Sequence, residues 1–141
     1  MRVLHVITGL GMGGAENVVK NLADTLVVNG HAVKIVYMTG EEVVRPESSD
    51  VEIFSLGLNG PLNFFSAYIK FRKFVKAYKP DAIHSHMFHA NIISRLLRLT
   101  TDIPFLVCTA HSSNEGGRLR MLAYRVTDFL ADISTNVSYD A

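Results

Sequence analysis

Apolar residues along this chain follow two alternating rhythms. Short apolar-rich runs, the mark of strands packed inside a sheet, occur at residues 3–7, 32–38, 51–56, 82–86, 104–109 and 132–137. Between them, apolar positions recur at three- and four-residue steps, as a helix with one buried face requires. Ala15, Val18, Val19, Leu22, Ala23 and Leu26 make one face of a helix predicted over residues 14–29, and Gly30 follows where a left-handed terminal residue is favoured. Phe64, Tyr68, Phe71, Val75 and Tyr78 make the face of a second helix, which runs from Gly60-Pro61 to about residue 78 and is stopped by Pro80. Two more helices are predicted over residues 91–99 and 118–130, and a polar loop at 40–50 contains Pro46.

This alternation predicts an α/β domain. Right-handed crossovers would build a Rossmann-like, doubly wound parallel sheet with helices on both faces. With 141 residues the chain is one domain's worth, and 48% hydrophobic against 19% charged residues makes it globular. A formal charge of +1 gathers no phosphates, which argues against nucleic acid as a partner. Cys108 sits in the apolar run Phe105-Leu106-Val107-Cys108 and reads as a buried thiol, with no disulfide framework. No stretch approaches about 18 continuous apolar residues and the start carries no long apolar leader core, so the expected compartment is the cytoplasm.

The chemistry begins at Thr8–Asn17, TGLGMGGAEN. Gly9, Gly11 and Gly14 fit G-x-G-x-x-G directly after a strand signal, the fingerprint of dinucleotide sites. Glycines there let backbone amides approach a ligand, and the helix start adds partial positive charge. Two features disfavour a dinucleotide. Its ribose needs an acid about 20 residues further on, yet the second strand ends Val36-Tyr37-Met38-Thr39 and Glu41 and Glu42 come later. Glu16 lies in the first helical turn, where a carboxylate competes with a pyrophosphate for the same amides. It can instead stabilise the helix dipole or accept hydrogen bonds from a sugar hydroxyl. The residues leave open a flavodoxin-like module that binds a phosphate or nucleotide without chemistry, and behind it a dinucleotide-dependent oxidoreductase.

The stretch GLGMGGAENVVKNLADTL resembles the N-terminal loop and first helix of the family-4, retaining, GT-B glycosyltransferases, where a Gly-Gly-Ala-Glu loop lies between two Rossmann-like domains. Three further stretches agree with that family in order and spacing: Gly30-His31-Ala32-Val33, the strand Lys79-Pro80-Asp81-Ala82-Ile83-His84-Ser85-His86, and Thr109-Ala110-His111. The resemblance runs over residues 1–141 and implies a single N-terminal, acceptor-side domain, the first half of a GT-B fold. A donor-binding C-terminal domain of roughly 200 residues would be missing from this chain. The implied reaction moves a sugar from a nucleoside-diphosphate-sugar to an acceptor hydroxyl with retention, in polysaccharide or glycolipid synthesis. It implies no metal and no cofactor beyond the donor substrate, and the isolated domain would be inactive.

Within that resemblance His111 is the expected catalytic residue, because the histidine of this motif contacts the donor sugar. It closes an apolar strand and opens the polar loop Ser112-Ser113-Asn114-Glu115-Gly116-Gly117, at the edge where a parallel sheet binds its ligands. Gly11, Gly13, Gly14 and Glu16 are the expected substrate-binding residues, joined by His86 at the carboxyl end of its strand. His84, deeper in the same strand, reads as a core histidine. His84, His86 and His89 hint at a metal, but no carboxylate or cysteine lies near them in sequence, and the expectation is none. The helix of YIKFRKFVKAYK carries Lys70, Arg72, Lys73, Lys76 and Lys79. It reads first as a core-facing helix with a solvated lysine face. The alternative is peripheral contact with the inner face of a membrane holding a lipid-linked acceptor, with Phe64 and Phe65 inserting.

Overall fold

Val3, Leu4, Val6 and Ile7 are all buried, so the first strand, β1 (Arg2–Gly9), is covered on both faces. In the computed structural model, which describes residues 1–9, 14–40, 45–58, 61–110 and 118–136, it leads to α1 (Gly14–Val28), β2 (Ala32–Thr39) and β3 (Glu52–Ser55). Then follow α2 (Phe64–Tyr78), β4 (Ala82–His86), α3 (Phe88–Leu97), β5 (Leu106–Ala110), α4 (Arg118–Thr127) and β6 (Ile133–Asn136). Short 3-10 turns at Pro61–Asn63 and Asp128–Leu130 introduce α2 and close α4.

The six strands form one sheet in the order β3-β2-β1-β4-β5-β6, and every neighbouring pair is parallel. The chain winds outward from β1 to β3, then returns to β4 on the other side of β1. That reversal puts α1 on one face and α2 and α3 on the other, as right-handed crossovers require. Two cores result. One joins Leu4, Val6, Val36, Ile83 and Leu106 to Phe71, Val75, Ile93 and Leu97 of α2 and α3. The other joins Ile7, Val33 and Ile35 to Ala15, Val19 and Ala23 of α1. Cys108 is buried in the first, as expected of a small apolar thiol, and burial pushes it up from its usual pKa.

Helix ends follow local chemistry. Gly30 takes φ 88°, its N–H donates to Val27 O at 3.0 Å, and the His31 N–H donates to Leu26 O at 3.0 Å. This pair of bonds satisfies two carbonyls at the end of α1. At the end of α2, Lys79 adopts the left-handed region at φ 54° and its N–H donates to Val75 O at 2.8 Å, after which Pro80 forbids continuation.

The structure differs from the sequence reading in three places. The buried residues of α2 are Ala67, Phe71 and Val75, while Phe64, in its first turn, is 37% exposed. Val18 stands at the exposed rim of α1. The third helix starts at Phe88 and not at residue 91, since Met87 turns the chain directly from β4 and its carbonyl accepts from the Asn91 N–H at 2.9 Å. Among the described residues no helix is long and apolar enough to cross a membrane.

Asp132 fastens the far side of the sheet. Its Oδ2 accepts from the Leu106 N–H at 2.8 Å and pairs with Arg98 Nη1 at 2.8 Å. The Leu106 amide first, then the Arg98 guanidinium, hold its carboxyl below the ordinary value of 3.8. A depressed folded-state pKa stabilises the fold above the unfolded-state value, and that stabilisation is lost as pH falls through the folded one. Wild type should therefore be more stable than Asp132→Asn at neutral pH, with the gap closing as pH drops below about 4. Urea midpoints of both proteins across this range measure it; a gap independent of pH would show that the carboxylate charge contributes nothing.

Candidate active site at the carboxyl edge of the sheet

β1 is the strand from which the sheet winds both ways, and a crevice forms beyond the carboxyl ends at such a switch point. The glycine motif begins at this edge, with Gly9 ending β1 and Gly14 opening α1. A Cβ on Gly9 would stand 3.1 Å from the Thr39 carbonyl oxygen, so the last residue of β1 packs against β2 too closely for a larger side chain. Gly14, the first residue of α1, differs: a Cβ there meets nothing within 4 Å. Its lack of a side chain answers no need of the fold. Glu16 is half-buried in the first turn of α1, within two residues of that opening. Gly11, Gly13 and His111 lie outside the described residues. β5 ends at Ala110, immediately before His111, and β5 and β1 run parallel with β4 between them.

The junction between β4 and α3 lies at the same edge and is strained. Met87 has φ 75° and ψ 165°, a region that glycine fills readily and that costs other residues about 1–3 kcal/mol. Its N–H donates to Thr109 O at 3.1 Å. The buried Asn91 side chain reinforces the junction. Asn91 Oδ1 accepts from Ser85 Oγ at 2.7 Å, while Nδ2 donates to Thr109 O at 3.0 Å and to Tyr124 Oη at 3.2 Å. One amide thereby ties the ends of β4 and β5 to α4. Arg95, also buried, clamps α4 from one turn further along α3 by donating to Tyr124 O at 3.1 Å and Thr127 Oγ1 at 3.0 Å.

Three histidines meet beneath this edge. β1 and β4 pair with His5 opposite His84, so both side chains take the face of the sheet that α1 covers, and His86 follows two residues on. The His84 and His86 rings are 4.0 Å apart between centroids, and His5 lies 5.4 Å and 5.5 Å from them. His5 Nδ1 and His86 Nε2 share a hydrogen bond of 3.3 Å, and His5 Nε2 has no partner. His84 Nε2 bonds Thr109 Oγ1 at 2.7 Å, which in turn bonds Thr135 Oγ1 at 2.8 Å. Burial, and after it the His84 charge, lowers the His5 pKa to about 3, so this ring is neutral at physiological pH.

These positions correct the sequence reading of the histidines. His86, expected to face a ligand, is fully buried, while His84, expected to be the core residue, is the half-buried one. Position along a strand does not set exposure: His86 ends a central strand with its ring beside those of His84 and His5. His89 is exposed on α3 and takes no part; the third imidazole is His5. Nothing in the sequence near His84 announces His5, since strand register alone brings them together. Asn91 and Arg95 were likewise missed. Two polar residues in an amphipathic helix read as its wet face, and only the packing of α4 over α3 buries them.

Comparison with known proteins agrees with this architecture. The model of Glycosyltransferase Family 4 matches residues 12–138. The chain is 29% identical over 140 residues to "Putative glycosyltransferase EpsF" of Bacillus subtilis, covering 88% of this chain and 35% of that protein. In fold it is similar to sucrose-phosphate synthase from Thermosynechococcus elongatus, with TM-score 0.70 and 16% identity over 95% of this chain and 42% of the other. It is also similar to Acinetobacter baumannii MurG, with TM-score 0.73 and 13% identity over 96% of this chain and 41% of the other. The sheet is the Rossmann-like half of a GT-B fold. The chain spans little more than a third of the curated relative it matches.

The Asn91 amide gives this edge a direct stability test. Asn91→Ala removes one partner each from the buried Ser85 hydroxyl and from the Thr109 carbonyl, which keeps the Met87 N–H, and this should cost about 1 kcal/mol. Equilibrium urea unfolding reads it, and a loss within error of zero would show that β4, β5 and α4 hold together without the amide.

Proposed function

Because this chain belongs to Glycosyltransferase Family 4, we propose that it is the acceptor-side domain of a retaining enzyme that moves a sugar from a nucleoside-diphosphate-sugar to an acceptor hydroxyl. The acceptor belongs to polysaccharide or glycolipid synthesis. The observation that carries this reading is the open space at Gly14. A Cβ there would meet nothing within 4 Å, at the start of the helix that follows β1, and this supports a ligand approaching the backbone at that point. A dinucleotide fits poorly, since β2 ends in Thr39 and Gly40 with no acid to hold a ribose.

In this reading Gly11, Gly13 and Gly14 bring the first amides of α1 to the substrates, and Glu16 accepts hydrogen bonds from acceptor hydroxyls. His111, following β5, contacts the transferred sugar and balances charge as the nucleoside diphosphate leaves. His86 supports the site from below rather than touching a ligand, consistent with its burial. A second, donor-binding domain completes the cleft; coverage of about two fifths of each structural neighbour supports this. No cofactor enters beyond the donor. The exposed Leu62 and Phe65, next to Lys70, Lys73 and Lys76 on α2, support peripheral contact with an anionic membrane that presents a lipid-linked acceptor.

Two substitutions in the full-length enzyme test the reading. Gly14→Val should leave the melting temperature near wild type, because a Cβ there meets nothing within 4 Å, while transfer falls by at least tenfold. Unchanged turnover in a folded variant would reduce the loop to a turn. His111→Ala should lower kcat by about a hundredfold, near 2.7 kcal/mol, with a smaller change in KM, as expected for a contact made chiefly in the transition state. An effect confined to KM would place His111 in ground-state binding instead.

A further inference from the structure

α3 and α4 follow β4 and β5, so both helices begin at the carboxyl edge of the sheet, and their first turns meet there. Arg120, in the first turn of α4, has its guanidinium carbon 4.9 Å from the centre of the ring of Phe88, the residue that opens α3. Ala90, in the same turn as Phe88, donates its N–H to Thr8 Oγ1 at 3.3 Å. The contact therefore stands beside the end of β1, where the glycine motif begins. Resting on the transfer reading above, we propose that Arg120, held over Phe88, recognises an oxyanion on the acceptor. The oxyanion is a phosphate or a carboxylate carried by the sugar that receives the transferred one, and its recognition selects charged acceptors over neutral ones.

Three observations support the assignment. First, the fold does not use this charge. Arg95 and Arg98 of α3 pair with Asp128 at 3.5 Å and Asp132 at 2.8 Å, whereas among the described residues no carboxylate pairs with Arg120. Second, helix stability does not explain it. A cation in the first turn of a helix opposes the macrodipole, yet α4 carries Arg118 and Arg120 there and no acidic residue to offset them. Third, the guanidinium is held in place. Cation–π attraction acts within about 6 Å and leaves the N–H donors of the guanidinium unconsumed. The Phe88 ring is itself packed against Tyr124, with centroids 5.1 Å apart and planes at 67°, and Tyr124 Oη accepts from Asn91 Nδ2 at 3.2 Å. An arginine held in this way loses less freedom on meeting a ligand than a fully solvated one.

The chemistry of the ligand follows from the donor. A guanidinium presents paired N–H groups in a planar fork that fits two oxygens of a phosphate or carboxylate, while a sugar hydroxyl offers one oxygen and no charge. The preference is for the anion and not for sugars in general. Arg120 breaks no bond of the donor in this role; it decides which acceptor is held. The competing account is that the arginine stem merely covers the Phe88 ring as apolar packing. That account predicts a change in stability on substitution and no change in ligand preference.

The test measures by calorimetry the binding of three probes to the full-length protein: glucose 6-phosphate, glucuronate and methyl glucoside. Wild type should bind at least one anionic probe about tenfold more tightly than methyl glucoside. Arg120→Gln should abolish that preference, and Arg120→Lys should keep part of it, since the charge stays while the fork is lost. Phe88→Leu should weaken it by releasing the guanidinium. Arg125→Gln, which alters an exposed arginine in the last turn of α4, should match wild type. The tighter of the two anionic probes names the recognised group as a phosphate or a carboxylate. Circular dichroism establishes that the variants are folded; should Phe88→Leu fail to fold, the two Arg120 variants decide alone. Wild type that binds neither anion better than methyl glucoside, or a folded Arg120→Gln that keeps the preference, would overturn the proposal. Transfer is assayed separately. Sugar transfer without an Arg120-dependent preference sinks this proposal alone, whereas an Arg120-dependent preference in a protein that transfers no sugar sinks the transfer reading and leaves the anion site standing.

Discussion

The pairing of β1 with a parallel strand on each side is the constraint on which the rest of the structure depends. β1 registers with β2 from Arg2↔Ala32 to Gly9↔Thr39, and with β4 from Val3↔Ala82 to Ile7↔His86. Such a strand has no edge and no wet face, so its side chains must be apolar or satisfied inside the protein. The winding direction must also reverse at β1, because a right-handed crossover can add strands on one side only while the helices stay on one face. From that reversal come the two cores, the helices on opposite faces, and the crevice at the carboxyl edge.

The same constraint explains why the glycines serve different ends. Gly9 lies within the ladder, where the β2 backbone approaches so closely that a Cβ would crowd the Thr39 carbonyl. Gly30 reverses the chain at the end of α1 in a left-handed conformation. Gly14 has neither duty, since a Cβ there would meet nothing within 4 Å. The two described glycines of the motif thus differ in the folded chain: Gly9 is confined by the ladder and Gly14 is not.

Among the described residues, a few buried side chains tie the elements together near the carboxyl edge. Asn91 joins the ends of β4 and β5, and Arg95 holds α4 against α3. Met87 carries backbone strain between them, in a region that a non-glycine residue enters only when its surroundings dictate it. Rigid supports of this kind let short loops present ligand-binding groups without losing much conformational freedom on binding. The histidine cluster lies where β1 and β4 pair, with His5 opposite His84.

Strand and helix order, the parallel sheet, the stop at Pro80 and the turn at Gly30 were all legible in the sequence, because each follows from local periodicity or from one residue's backbone preference. The placement of the glycine motif after the first strand was legible for the same reason, as was burial of Cys108 within its apolar run. The depth of individual side chains was not. Phe64 belongs to the aromatic stripe of α2 yet stands partly in water, and His86 is the more deeply buried of the two strand histidines. Nor could sequence reveal that His5 meets His86 from 81 residues away, or that Asn91 faces inward. Local sequence sets which conformations a segment prefers, through interactions reaching three or four residues along the chain. Register between strands and packing between helices are decided by the shape and burial of the whole, and it is there that the partners of each polar group are chosen.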